Sequence, residues 1–339
     1  MRAFTCNNCG QLVFFENSLC LRCSTELGFV PSQLDILALD HHGPAQVRRC
    51  ANAVVAGCNW MLEPGETGPL CRSCRLTRSR PADEDPDGLA AFAKAEAAKR
   101  RLLFGLMDLG LPVESGGLQF DLLPSRTAPV VTGHADGLIT IDLAESDDAR
   151  REQRRAELGE PYRTMLGHFR HEVGHYYWPI LIERTGELER WRRLFGDERA
   201  DYDQALQRHY EQGPTADWSD RHVSAYATMH PWEDWAETFA HYLHIRDTLQ
   251  TAAAFGLFVT GPRETGDASL MAAPAEDTGK GSFRAVIGDW LPLTYALNAV
   301  NRSLGRDDLY PFALAPAVID KLSFVHDRVR AGRLVAGGG

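Results

Sequence analysis

The chain has no run approaching twenty consecutive apolar residues, so it offers no candidate for a membrane-spanning helix. It has no cysteine after position 74 and no lysine before position 81. It also lacks an excess of positive charge. The formal net charge is −10, which argues against a general nucleic-acid binder. The opening MRAFTCNNCG has no basic-then-apolar leader, so secretion is not expected. Cysteine spacings of metal-binding type then suit zinc thiolates in a reducing cytoplasm better than disulfides. What is present is ordinary for a folded protein. The 339 residues are 44% hydrophobic, enough to bury a large core and to form two domains.

The cysteines fall into two groups. Cys6-x-x-Cys9 and Cys20-x-x-Cys23 are two knuckles, each presenting two thiolates to one ion, with Leu12 to Phe15 as a short strand between them. Cys50, Cys58, Cys71 and Cys74 make a second group in which only the last pair has knuckle spacing. Two four-cysteine zinc sites are expected, because so small a segment needs metal to hold it folded. Spacing alone leaves open whether ligands interleave between the groups. Arg72, Arg75, Arg78 and Arg80 surround the last knuckle, either as a docking patch or as a solvated connector. The polar, proline-bearing stretch 81–88 reads as a linker. Residues 1–80 would then be a zinc-ribbon domain and 89–335 a second domain.

The second domain centres on His171-Glu172-Val173-Gly174-His175. On a helix, histidines four apart lie on one face and can grip a single ion, with Glu172 placed to take a proton from water. Helical spacing of Tyr162, Met165, Leu166, Phe169, Val173 and Tyr176, with Pro161 as first residue, predicts that helix. Pro179 should end or bend it near Trp178. Gly174 costs ~1 kcal/mol relative to alanine within a helix and is expected to have a close-packing reason.

A third ligand must come from elsewhere. The run His230 to His244 reads as a helix started by Pro231. Trp232, Trp235, Ala236, Phe239 and Leu243 form its apolar stripe, and Glu233, Glu237, His241 and His244 a second one. Two histidines, one carboxylate and an open place for water is a catalytic zinc arrangement. Glu233 is the expected ligand, with Glu237 and His241 in support. The reverse assignment of the two glutamates stays open, since residues four apart face the same way.

These residues resemble the gluzincin metallopeptidases, and more closely a bacterial family of zinc-ribbon, zinc-binding metallopeptidases. The resemblance is carried by residues 159–164, by FRHEVGHYYW, by Val223-Ser224-Ala225-Tyr226 through HPWEDWAETFAHYLHI, and by the cysteine groups. It covers nearly the whole chain. The Glu233-Asp-Trp-Ala-Glu-Thr-Phe run also looks like the ligand helix of lethal-factor-type gluzincins, where a tyrosine seven residues earlier stabilises the oxyanion. That position is Tyr226 here; an ordinary packed aromatic is the other reading.

The remaining segments complete an α+β chain: a double zinc ribbon, then a mostly helical gluzincin-like domain with a small mixed sheet. Leu89 to Gly110 reads as a helix, and Leu118–Leu122, Pro129–Thr132 and Gly137–Leu143 as strands. The resemblance puts 138–143 at a sheet edge where a peptide could add, although a strand paired on both sides fits equally. Arg150 to Arg155 begins a solvated helix, 188–195, 200–210, 282–304 and 316–329 read as helices, and 256–281 as a long irregular stretch. The function expected is peptide hydrolysis with one catalytic and two structural zinc ions. Glu172 would be the base and Tyr226 the oxyanion donor, with a peptide or protein substrate and a possible protein partner at the ribbons. The competing reading is a zinc-ribbon scaffold for protein or nucleic acid whose peptidase-like domain is not catalytic. A non-peptide amide substrate would use the same chemistry.

Overall fold

Short antiparallel hairpins carry the cysteines in the computed structural model. The model describes residues 2–39, 47–113, 117–126, 128–147, 164–262, 270–275 and 281–336. The chain divides into two compact units: Met1–Gln153 with Thr164–Phe169, and Arg154–Arg163 with Arg170–Gly339.

In the first unit β1 (Phe4–Thr5) pairs with β2 (Leu12–Val13), β3 (Leu27–Val30) with β4 (Asp35–Ala38), and β5 (Arg48–Arg49) with β6 (Met61–Leu62), all antiparallel. Such small hairpins cannot make a core alone, and they share one with the helix that follows. Phe15 and Phe29 meet Phe104 of that helix and also pack on Trp60, with Phe15–Phe29 and Phe15–Phe104 centroids 5.1 Å apart and Phe29–Trp60 4.7 Å. The short α1 (Arg72–Arg75) precedes it, and the helix itself, α2, spans Pro86–Asp108. Asp85 caps α2 by accepting from Gly88 N–H at 2.9 Å, and Pro86 pre-sets its first turn.

One four-stranded sheet of order β7-β8-β10-β9 joins β7 (Thr77–Ser79), β8 (Gln119–Leu123), β9 (Gly133–Ala135) and β10 (Leu138–Asp142). Phe120, Leu122, Ile139 and Ile141 are buried in it. Because β7 follows the last knuckle, the compact unit runs past the linker read at 81–88 and takes in the whole sheet.

Two strand expectations need correction. Residues 129–132 are not a strand. The strand begins at Gly133, and the turn is the pair Asp136-Gly137, with φ 48° and 85°. Two left-handed residues make the hairpin turn whose twist matches its strands. Residues 138–142 are not an edge either: β10 pairs with β8 on one side and β9 on the other.

The second unit is helical: α3 (Met165–Leu181), whose first residues belong to the first unit, then α4 (Leu188–Phe195), α5 (Tyr202–Gln212), α6 (Pro231–Ala254), α7 (Phe283–Ser303) and α8 (Pro316–Ala336). Thr164 caps α3, its hydroxyl accepting from Gly167 N–H at 3.0 Å. Pro161 and the expected Arg150–Arg155 helix lie outside the described residues. Pro179 does not end α3 at Trp178; the helix runs two residues past it to Leu181, so the hydrogen bond it removes lies in the last turn, where little helix follows. In the stretch 256–281, Val259 and Ala272 form a two-bond antiparallel bridge, while 263–269 and 276–280 are outside the described residues.

Helix α6 lies at the centre of this unit, packed on α4, α7 and α8, and it crosses α3 at Gly174. A Cβ at Gly174 would stand 2.9 Å from Ala236 Cα and 3.2 Å from its carbonyl oxygen. Trp235 Nε1 donates to the Gly174 carbonyl at 2.8 Å across the same crossing. The close-packing reason expected for this glycine is therefore a backbone contact. Of the predicted apolar stripe on α6, Trp235, Ala236, Phe239 and Leu243 are buried, but Trp232 is exposed and packs edge-on against Trp178. Alanine at 174 would gain ~1 kcal/mol in helix propensity but must displace backbone, an overpacking cost of ~1–3 kcal/mol or more. Gly174→Ala is thus expected to lower the denaturant midpoint, and an unchanged midpoint would show that the crossing has slack.

Candidate metal centres and active site

The eight cysteines form two separate clusters, Cys6, Cys9, Cys20, Cys23 and Cys50, Cys58, Cys71, Cys74. The interleaved arrangement is not the one adopted. Sulfur–sulfur distances are 3.7 Å for Cys6–Cys23, 3.6 Å for Cys9–Cys20, 3.6 Å for Cys58–Cys71 and 3.7 Å for Cys58–Cys74. A disulfide needs ~2.05 Å. Four thiolates at ~2.3 Å from a tetrahedral zinc ion stand ~3.8 Å apart, so the donor set fits zinc. Beside the second cluster, Lys99 Nζ is 2.6 Å from Glu96 Oε1, Arg100 Nη1 is 3.7 Å from Glu96 Oε2, and all three side chains are buried. Arg100 also donates to the carbonyl of Ala56 at 3.0 Å.

The third cluster lies wholly in the second unit. Helix α3 presents His171 and His175 one turn apart, and α6 presents Glu233 from its first turn. The nitrogens His171 Nε2 and His175 Nε2 are 3.3 Å apart. Glu233 Oε2 is 3.0 Å from the first and Glu233 Oε1 3.5 Å from the second. The carboxylate thus faces both nitrogens, one oxygen toward each. Ligands at ~2.0–2.1 Å from a tetrahedral zinc ion are separated by ~3.3–3.4 Å.

Protonation supports the same fit. His171 Nδ1 is 2.7 Å from Glu237 Oε1, and an ionised carboxylate only accepts, so Nδ1 carries the hydrogen. In the neutral ring Nε2 then turns a lone pair toward His175 and Glu233, an arrangement that a cation at its centre would satisfy. Without one, burial opposes charge on His171, yet Glu233 and Glu237 together hold its proton affinity above the usual range.

Glu237 faces away from the third cluster. It accepts from His171 Nδ1 and from the Ser224 hydroxyl at 2.6 Å. Burial works against its charge, but these donors hold its carboxyl at about 2. Burial likewise opposes ionisation of Glu233, and the two imidazoles outweigh it and keep the carboxyl well below the ordinary range. Glu172 is buried and is pushed up by burial, against the pull of His171 and His175. A carboxylate so poised is suited to accept a proton and return it. Tyr226 starts a single 3₁₀ turn, its ring centroid 6.0 Å from that of His171, and burial keeps its hydroxyl protonated. His241 is one turn beyond Glu237 but bonds elsewhere, to the Tyr310 hydroxyl at 2.7 Å, with burial lowering its pKa to about 4.

Some contributors were not legible from spacing. Tyr202 donates to Glu233 Oε1 at 3.0 Å, and Ser224 supports Glu237. His230, given no firm role, caps α6 by accepting from Trp232 N–H at 3.1 Å. Behind the ligand turn, Asp234 is buried against Lys321 of α8, with Nζ 2.6 Å from both Asp234 Oδ2 and the carbonyl of Arg221. Burial pushes the Asp234 carboxyl up to about 7 and Lys321 opposes that.

A family model described as "Putative zinc-binding metallo-peptidase" matches residues 88–328, and a zinc-ribbon domain model matches residues 3–85. Uncharacterized proteins of Mycobacterium tuberculosis and Mycobacterium bovis are each 51% identical, over 96% of this chain and 94% of their own length. No solved structure matches. Among the described residues no helix is long and apolar enough to cross a membrane.

Removing Lys321 would leave Asp234 buried without its partner, and breaking such a pair costs ~3–5 kcal/mol. Lys321→Met is expected to show most of that loss in denaturant unfolding. A loss below 1 kcal/mol, on the scale of surface pairs, would mean that water reaches the pair.

Proposed function

We propose that this chain, which belongs to the zinc-binding metallopeptidase family, is a zinc-dependent peptidase of gluzincin type. The observation that carries the proposal is the convergence of His171, His175 and Glu233 in a unit whose Glu172 is buried beside them. These three residues would hold one ion, and the two cysteine clusters one structural zinc each. The chemistry the ion supplies when bound is acidification of a water to a pKa of ~7 and polarisation of the scissile carbonyl.

The chain's own residues do the rest. Glu172 accepts the water proton and delivers it to the leaving amine, a transfer helped by the upward shift that burial gives its carboxyl. Tyr226, whose hydroxyl stays protonated, donates to the oxyanion as charge develops on it. Glu237, braced by Ser224, fixes the tautomer of His171 so that Nε2 keeps its lone pair toward the site. Glu233 is favoured over Glu237 as ligand because only Glu233 reaches both imidazole Nε2 atoms. The substrate is a peptide or protein.

One observation favours a partner at the ribbons as well: Leu12, Phe14, Leu19 and Leu21 of the first ribbon are exposed, an apolar grouping unusual on a solvated surface. A scaffold whose peptidase-like domain is inert remains the competing reading, and digestion of a peptide library separates the two.

Metal analysis of the full chain is expected to give three zinc ions, with cleavage abolished by chelator. Two zinc ions and no cleavage would support the scaffold. Glu172→Gln is expected to lower cleavage by at least ~100-fold with three zinc ions retained, and parallel loss of metal would make Glu172 structural. Glu233→Ala should remove one zinc and leave the thiolate pair of sites filled, whereas full retention would move the ligand to Glu237.

A further inference from the structure

We propose that Tyr202 is a positioning residue that sets which oxygen of Glu233 is offered to the ion. This rests on reading His171, His175 and Glu233 as the zinc site. A glutamate side chain carries two equivalent oxygens and rotates freely at its end, so some partner must choose between them. The Tyr202 hydroxyl donates to Oε1 at 3.0 Å, while Oε2 stands 3.0 Å from His171 Nε2. Oε1, which also stands 3.5 Å from His175 Nε2, is thereby engaged by a neutral donor, and Oε2 keeps its lone pairs toward His171. A hydroxyl suits the task because it fixes the carboxylate without neutralising it. An ammonium or guanidinium at the same place would compete with the ion for the charge.

Tyr202 is held in place by the backbone rather than by deep packing. It is the first residue of α5, and Asp201 caps that helix by accepting from Gln204 N–H at 2.9 Å. Ala205 is the only fully buried residue of α5, so packing anchors the helix lightly. Its start is instead tied to the start of α6. His230 Nε2 meets the carbonyl of Ala200 at 3.0 Å while its Nδ1 caps α6, and the rings of Tyr202 and His230 lie 5.3 Å apart. The residue that starts the ligand helix therefore also places the tyrosine that braces the ligand. Tyr226 differs: its ring lies against His171 and against His209, at 6.0 and 5.9 Å, where a substrate oxyanion can be met.

The test compares zinc binding in the full-length chain and in Tyr202→Phe, by competition with a coloured chelator, with thermal unfolding to check the fold. Loss of a partner that orients a ligand costs ~10–100-fold in metal affinity. Tyr202→Phe is expected to weaken the third zinc by about tenfold or more, with the thiolate zincs unchanged, and any lost cleavage should return when zinc is raised. Tyr226→Phe should bind zinc as the wild type does and lose turnover that added zinc does not restore. A third zinc held equally well by Tyr202→Phe overturns the assignment and leaves the zinc reading standing. So does weakened binding with activity that zinc cannot rescue, which would place Tyr202 on the substrate. A wild-type chain that binds only two zinc ions overturns both, and the affinity measurement needs no substrate to show it.

Discussion

The crossing of α3 and α6 is the constraint from which the site follows. Two helices can bring ligands within one coordination sphere only if their axes approach closely, and side chains at the crossing normally prevent that. Gly174 and Ala236 remove the obstacle, and the Trp235 indole bonds to the Gly174 carbonyl. The residues on either side of the glycine, His171 and His175, are then carried to the first turn of α6, where Glu233 stands. Glycine's unfavourable helix propensity is small beside the backbone overlap that any larger residue would create.

Around that crossing three acids of α6 each have a partner, Glu233 and Asp234 being buried. Glu233 faces two imidazoles, Glu237 has His171 and Ser224, and Asp234 has Lys321. The acids of one helix thus find their partners on α3, in the segment before α6 and on α8. The second cysteine cluster follows a similar logic. Four thiolates around a divalent ion leave two negative charges in a buried place. Lys99 and Arg100 supply two positive ones and Glu96, 3.9 Å from Cys74 Sγ, one negative, so the helix offsets part of that charge. In both sites the partners come from helices far along the chain, so metal binding and tertiary packing stabilise each other.

The first unit also shows why a zinc ribbon need not be a separate body. Its hairpins have two to four residues per strand, too few to enclose a core. Phe104 of α2 completes the aromatic cluster of Phe15, Phe29 and Trp60, and β7 continues into the four-stranded sheet. Family models divide the chain between residues 85 and 88, whereas compactness divides it far later. The first division follows sequence signatures, and the second follows where the buried side chains meet.

Local chemistry was legible in the sequence wherever it depends on spacing along one element. The CxxC knuckles, the pair of histidines on one helical turn, the proline-started ligand helix and the helices at 188–195, 282–304 and 316–329 all belong to that kind. The ends of elements were less so, because Asp136-Gly137 and Pro179 are tolerated in ways that depend on what lies around them. Whatever requires two distant segments to meet was decided only by the fold. Which of Glu233 and Glu237 turns toward the imidazoles depends on the rotation of α6 against α3, and a repeat of four residues leaves that angle undetermined. The pairing of β10 with β8 and, over Leu138–Thr140, with β9, the Tyr202 bond and the Lys321–Asp234 pair are of the same sort. A sequence lists the donors and their periodicity. The positions of their partners are set by the packing of buried side chains between elements, and no single element carries that information.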